Sequence, residues 1–515
     1  MLNLDTGVQR SDLHPVAGRR EWAALAVLVL AVVLLAVDGT VLSLAVPSLT
    51  AALDPSAVQL LWIGDIYSFA LAGLLVTMGN VADRIGRKRL LLIGSAGFGI
   101  ASLLAAFAPS AEWLIAARVL QGIAGATLMP STLSLIRQIF TDARQRTTAI
   151  AIWSAAAGGG AALGPLVGGA LLEHFWWGSV FLINVPIMGV LVIAGLFLIP
   201  ESRDPRPGRF DVLSAGLSLL AIIPVVYGVK ETASHGISSW SVLAALVGVG
   251  AGVAFVHRQR RLASPLIDVT LFRRPAFAGA VSANLLSVFA FSGLLFFFSQ
   301  YLQLVRGYSP LQAGIRELPG TLASIVVVVL AGFLVARLGR GHVIGGALMV
   351  AAAGLGLLAL AEGADHYVWL ALALILVGLG VGLSLTLTTD AVVSSVPKDK
   401  AGSASAVSET AYELGVALGI ALLGSVQTVV YRSALDLPSG LPVSLETAIR
   451  ESLASAVSAL RGQPVAESAA LLEHVLDAFV QAMQVTSVIA AVILAAAAVL
   501  SWRVIPSEPV GKRDR

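Results

Sequence analysis

Apolar residues recur along the chain in runs of about twenty or more, separated by short polar breaks. A helix needs about 20 residues to cross a bilayer core, so each run reads as a membrane span and not as a core helix of a soluble domain. Fourteen spans are predicted, over residues 22–48, 58–80, 89–109, 111–132, 147–171, 177–199, 211–229, 239–256, 275–303, 310–336, 342–361, 367–388, 401–431 and 474–502. The first is too long for a signal-peptide core, has no small-residue cleavage site and carries Asp38, so it is read as a helix that stays in the membrane. The expected class is an all-α polytopic membrane protein.

Composition agrees: 57% of the 515 residues are hydrophobic and 12% charged, with a mean hydropathy of +0.88. The net charge of +3 matters less than where the charges fall. By these spans about 26 of the 33 Lys and Arg residues lie in one alternate set of connections, including Arg84–Arg89, Arg203–Arg209 and Arg258–Arg274. The positive-inside rule places that side, with both termini, in the cytoplasm, and the chain in a bacterial inner membrane. The basic loops are short and explained by topology, so no nucleic-acid partner is expected.

There is no cysteine, hence no disulfide, thiol chemistry or cysteine metal site. No nucleotide-binding loop, His-Glu-x-x-His metal site or nucleophile motif occurs. The sequence therefore predicts no catalytic residues, no metal and no cofactor, and leaves an ion gradient as the energy source.

Residues 79–89 form a charged loop between the second and third spans. Gly79, Arg84, Ile85, Gly86 and Arg87 are repeated 253 positions later (332 minus 79) as Gly332, Arg337, Leu338, Gly339 and Arg340, again between two spans. A duplicated chain follows: a cytoplasmic N-terminus at 1–21, a six-helix bundle at 22–200, a linker with two extra helices at 201–274, a second six-helix bundle at 275–502 and a tail at 503–515. Repeats of this kind place a substrate site at their interface near mid-membrane. The one long connection, 432–473, spaces Leu445, Ile449, Leu453, Val457 and Leu460 as an amphipathic helix, broken by Gly462 and Pro464. It predicts a helical hairpin on the outer surface, serving either as a gate or as a structural flap.

These residues carry a resemblance. Gly79-x-x-x-Asp83-Arg84-x-Gly86-Arg87-Lys88 resembles the signature between helices 2 and 3 of the major facilitator superfamily. Arg118 in Arg-Val-Leu-Gln-Gly-Ile-Ala-Gly, and Gly164-Pro165-Leu-Val-Gly168-Gly169, resemble the motifs of its exporters, the second being the antiporter motif. Phrases around Asp38, Asp65, Asn184, Glu201 and Glu409–Glu413 extend the similarity, across nearly the whole chain, to 14-helix drug:proton antiporters, the quaternary-ammonium and multidrug pumps of the QacA type. Gly64, where that pattern leads one to expect a larger apolar residue, and the pairing of Glu409 with Glu413 are departures from it.

The resemblance implies a major facilitator fold with two inserted helices, alternating access, and a monomer in the lipid bilayer that exchanges protons for lipophilic cations. It also implies that the charge network of Asp83, Arg84 and Arg87 stabilises the outward-facing state. Gly79, Gly86, Gly164, Pro165, Gly168 and Gly169 would let helices approach closely and bend.

A charged side chain at a helix centre costs about 2.5–3.5 kcal/mol on insertion scales, so each buried charge demands a reason. At ~1.5 Å per residue, Asp38, Asp65, Arg118 and Glu317 all fall in the outer half of their spans, whereas Glu409 and Glu413, four residues apart, share one face of the thirteenth. Two carboxylates so close repel as anions, so one of them can hold a proton.

Asp38 beside Arg118 is the expected proton-coupling site, with Asp65 in the relay or in helix contacts. Glu317, Glu409 and Glu413 are expected to attract cationic cargo, and Trp62, Tyr67, Tyr301 and Tyr412 to stack on it. The competing readings are a structural Asp38–Arg118 pair, an interfacial Glu317 and a solvated vestibule for the glutamate pair. On the functional side the alternatives are a dedicated exporter of a metabolite, antibiotic or lipid and, with less support, an intramembrane sensor or enzyme.

Overall fold

The structure is a computed structural model that describes residues 17–202, 211–262, 265–396, 401–438, 440–460 and 465–507. The basic clusters at 203–209 and 398–400, the 508–515 tail and the helix breakers Gly462 and Pro464 lie outside them.

Among the described residues, fourteen helices are long and apolar enough to cross a membrane. In chain order they are α1 (Arg19–Leu53), α2 (Ala57–Ile85), α3 (Arg87–Ala106), α4 (Ala111–Ile139), α5 (Arg144–His174), α6 (Ser179–Leu198), α7 (Val212–Ala233), α8 (Ser239–Arg261), α9 (Pro275–Val305), α10 (Pro310–Leu338), α11 (Arg340–Ala361), α12 (Tyr367–Ser394), α13 (Ala404–Ala434) and, after two short helices α14 (Val443–Glu451) and α15 (Leu453–Leu460), α16 (Ser468–Val504). Several begin at polar caps written in the sequence: Ser56 and Gln59 close a capping box on α2, Asp142 caps the helix that becomes α5, and Ser309 caps α10.

The two halves pack alike. In the first, α1 lies on α5 and α6, α2 on α4, and α3 on α4 and α6; in the second, α9 lies on α13 and α16, α10 on α12, and α11 on α12 and α16. Each contact of one half has its counterpart in the other. The halves meet along two equivalent seams, α5 with α10 and α2 with α13. The inserted α7 and α8 pack on each other, and α7 lies against α2 and α13, so the extra pair flanks only one seam.

The repeated glycines show why the duplication is visible in sequence. Gly86 and Gly339 hold positive φ, 110° and 80°, which only glycine adopts without strain. A Cβ on Gly86 would stand 2.5 Å from the Glu201 carboxylate, and one on Gly339 2.0 Å from the Ser507 carbonyl. Each turn is thus crossed by the segment leaving the last helix of its own half. Gly79 and Gly332 are different: a Cβ on Gly79 would meet only Pro130 at 3.8 Å, and one on Gly332 would meet nothing within 4 Å. Gly79 is therefore not held by close packing, contrary to the expectation from the motif.

The two short helices of the long connection pack their apolar side onto the bundle. Leu445, Ile449, Leu453, Val457 and Leu460 are all buried and belong to the main apolar cluster. Tyr431 Oη donates to the Ile449 carbonyl at 2.8 Å, and the Glu451 carboxylate accepts from the first backbone N–H of α2, reaching across from the second half to the first.

The seams are shut on the face carrying this hairpin. Gln303 Nε2 donates to the Leu44 carbonyl at 3.0 Å, and Leu311 N–H to Glu173 Oε2 at 3.4 Å, both between halves. On the face carrying the basic loops, Arg87 contacts Ser202, Lys88 the Leu196 carbonyl, Arg340 Asp390 and Arg274 the Ser395 carbonyl, each within its own half. Ile152 of α5 and Val329 and Phe333 of α10 are exposed there.

Candidate functional site

Asp38 sits at the centre of a buried polar network contributed by α1, α3, α4 and α6. Its Oδ2 pairs with Arg118 Nη1 at 2.9 Å and its Oδ1 accepts from Asn184 Nδ2 at 2.7 Å. Asn184 also donates to Ser102 Oγ at 3.2 Å, Gln121 Nε2 to the same hydroxyl at 2.8 Å, and Arg118 to Gln121 Oε1 at 3.2 Å. Asp38 and Arg118 are 1% and 2% exposed, so neither is screened by water. The face of Tyr67 covers the guanidinium at 4.5 Å, a cation–π contact that further fixes it.

Tyr67 and its neighbour Ser68 lie on α2, the helix of the first half that packs on α13 of the second. Glu413 is buried against Ser68 of α2, Glu409 is half-buried and Tyr412 is 37% exposed, yet Tyr412 interacts with both glutamates. These side chains line the cleft at the α2–α13 seam. The arrangement places a paired carboxylate in one half within electrostatic reach of a two-glutamate cluster in the other.

The Gly-Pro motif of α5 uses two faces. Gly160, Gly164 and Gly168 face α1, where Cβ atoms would stand 2.8 Å from the Val33 carbonyl, 1.8 Å from Thr40 Oγ1 and 2.4 Å from Val41 Cγ2. One face over, a Cβ on Gly169 would meet Leu311 Cα and the Pro310 carbonyl at 2.8 Å, and a Cβ on Gly314 of α10 would lie 2.2 Å from the Pro165 carbonyl. The motif thus joins α5 to its own bundle and to the opposite one. In the basic loop, Asp83 pairs with Arg87 at 2.9 Å, and Arg87 reaches Ser202 Oγ at 3.2 Å, so the network ties α2 and α3 to the end of α6.

Three expected site residues lie elsewhere. Tyr301 is fully buried, stacked on Phe298, and its hydroxyl donates to the Glu362 carbonyl at 2.7 Å while accepting from Arg306 Nε at 2.7 Å; it braces the hairpin-face end of the second half and does not face the cleft. Glu317 is 3% exposed with neither carboxylate oxygen hydrogen-bonded, and its neighbour Arg316 turns away to stack on Tyr308 at 3.7 Å. Asp65 does not join Asp38: it pairs with Lys230 of α7 at 2.6 Å, and the Lys230 ammonium lies 3.7 Å from the centre of the Trp62 ring. Gly64, a departure from the family pattern, makes room for Phe296, whose ring would lie 2.8 Å from a Cβ there.

Sequence reasoning missed Lys230 by ending the seventh span one residue before it. It missed Glu362 as well, placing it in a loop. That carboxyl is 3% exposed and accepts from Ser487 Oγ at 3.1 Å. Burial pushes it up to about 8, against the smaller downward pull of the Ser487 hydroxyl.

Fourteen membrane helices and a duplicated packing scheme, together with the family and relatives that follow, define a multi-pass membrane transporter and not an enzyme. The chain belongs to the Major Facilitator Superfamily, whose sequence profile matches residues 28–420. It is 48% identical over 485 residues to the multidrug efflux pump LfrA of Mycolicibacterium smegmatis, covering 93% of this chain and 96% of that one. It is 37% identical to the methyl viologen resistance protein SmvA of Salmonella typhimurium, over 94% and 98% of the two chains. Among solved structures, a bacterial homologue of the human lysosomal transporter Spinster superposes with a TM-score of 0.64 at 19% identity, covering 95% of this chain and 99% of that one. That likeness supports the fold.

Proposed function

We propose that the protein is a drug exporter that exchanges protons for lipophilic and quaternary-ammonium cations by alternating access. The observation that carries this reading is the Asp38 carboxylate, buried between Arg118 and Asn184. A carboxylate in that position takes up a proton when the cleft is open to one side and gives it up when the other side opens. Glu409 and Glu413 supply the negative charge that an organic cation replaces a proton to reach, so each displaces the other. Resistance and multidrug efflux functions named for relatives of near full-length similarity support the same class of cargo.

In this reading the basic face is cytoplasmic, as the positive-inside rule requires. The membrane is then the bacterial inner membrane, and the protein works as a monomer without a cofactor.

The test is ethidium and tetraphenylphosphonium transport in energised inverted vesicles. Transport is expected to collapse with a protonophore and to persist without ATP. Asp38→Asn is expected to abolish transport driven by the proton gradient; a variant that still couples to the gradient overturns the role of Asp38, and ATP-dependent, protonophore-insensitive transport overturns the mechanism.

A further inference from the structure

Trp62 and Asp65 are three residues apart on α2 and present an indole face and a carboxylate to the same point. An aromatic face with an adjacent anion, out of contact with water, is the chemistry that binds organic ammonium ions. The surrounding side chains are apolar: Phe69, Val226, Ala417 and Ala421 form a buried cluster, with Trp62, Ile222, Leu414 and Leu418 packed on it. An organic cation brings its own apolar bulk, so such walls suit it better than they suit a metal ion.

In this structure the site is filled by the chain itself. The Lys230 ammonium lies 2.6 Å from Asp65 Oδ2 and 3.7 Å from the Trp62 ring centre, with both charged side chains fully buried. A lysine ammonium is normally hydrated by three hydrogen bonds, yet here it has the carboxylate and the ring. Lys230 comes from α7, part of the helix pair outside the duplicated bundles, and no residue of either repeat supplies this charge. The preceding residue, Val229, lines an apolar groove of about 720 Å³ between α7, α8 and α13, together with Gly228, Thr232 and Ser425.

We propose that Lys230 is a specificity-determining residue that acts as a tethered substitute for the cargo, its ammonium occupying the Trp62–Asp65 cation site until an organic monocation displaces it. This rests on the reading of the protein as a cation exporter. The inserted helices then have a direct part in transport: they set the threshold that a cation must exceed to hold Asp65, and they keep the carboxylate neutralised when no cargo is present. Inorganic cations are disfavoured because apolar walls do not replace the hydration shell they would lose.

The experiment measures equilibrium binding of tetraphenylphosphonium to the purified full-length protein, and its transport in proteoliposomes, for the wild type, Lys230→Met, Asp65→Asn and the double variant. Lys230→Met is expected to bind at least tenfold more tightly than wild type, because the competitor is gone. Asp65→Asn is expected to bind at least tenfold more weakly, because an unneutralised ammonium now repels the probe. The double variant is expected to bind severalfold more tightly than Asp65→Asn, and more weakly than Lys230→Met.

Equal affinities for wild type and Lys230→Met overturn the proposal, as does a double variant no tighter than Asp65→Asn. Should Lys230→Met fail to fold because Asp65 is left unpaired, the comparison of Asp65→Asn with the double variant, where no buried carboxylate remains, decides alone. A wild type that transports the probe while Lys230→Met leaves affinity unchanged removes only the role of Lys230. Absence of both binding and transport in the wild type and in Lys230→Met removes the cation-export reading itself.

Discussion

The carbonyl of Pro165 lies 2.2 Å from where a Cβ on Gly314 would stand, so α5 of one half and α10 of the other touch backbone to backbone on the hairpin face. Small residues make such approaches in membranes, where packing rather than hydrophobic burial holds helices together. Gly314→Val is therefore expected to pry this seam open. The chain has no cysteine, so a single Leu44→Cys reports on it cleanly. Leu44 is fully buried, and its labelling by a membrane-impermeant maleimide is expected to be slow in the parent background and at least tenfold faster with Gly314→Val.

Arg118 and Asp38 are partners that cannot be removed singly at low cost. Breaking a buried pair by deleting one partner leaves an uncompensated charge and costs about 3–5 kcal/mol, whereas replacing both is close to neutral. Arg118→Ala is expected to lower thermal stability in detergent sharply. Asp38→Asn with Arg118→Gln is expected to recover most of that loss while leaving proton-driven transport at background, separating the structural part of the pair from its proposed coupling role.

The two repeated turns give a prediction with a built-in control. Gly86→Ala and Gly339→Ala place a side chain on positive φ and against Glu201 or Ser507, and each is expected to destabilise the protein by about 1–3 kcal/mol. Gly332→Ala, which meets nothing, is expected to be neutral or slightly stabilising through its effect on the unfolded chain. Thermal melting of the purified variants checks the contrast.

Glu362 predicts a pH dependence of stability. Its carboxyl lies outside the membrane spans and is raised from 4.5 to about 8 in the folded protein. The folded state therefore binds more protons than the unfolded one between those values, and stability falls as pH rises through that window. Glu362→Gln cannot ionise, so it is expected to be more stable than wild type at pH 8 by an amount on the order of a few kcal/mol, and nearly equal to it at pH 5. Melting curves at the two pH values check the sign.

Hydropathy along the chain determined the number of membrane helices and their approximate ends, because crossing lipid is a one-dimensional requirement on about twenty successive side chains. The 253-residue echo (339 minus 86) determined the duplication, because each turn needs a glycine at positive φ whatever surrounds it. The glycines of α5 were likewise legible as close-packing positions, though not which helix each would meet.

Only tertiary structure decided how the buried charges pair. Asp38, Asp65 and Glu317 are all acids inside apolar spans, yet one is held by Arg118 and Asn184, one by Lys230, and the carboxylate of one has no hydrogen-bond partner. Lys230 was invisible because it falls where the apolar run of its helix ends and reads as a loop residue; its burial depends on α2 and α13 packing beside α7. What the hairpin packs on was open for the same reason: an amphipathic face states that something covers it, and only the fold shows that the covering surface is the bundle. Pairing and covering are relations between residues far apart in the chain, and local periodicity carries no record of them.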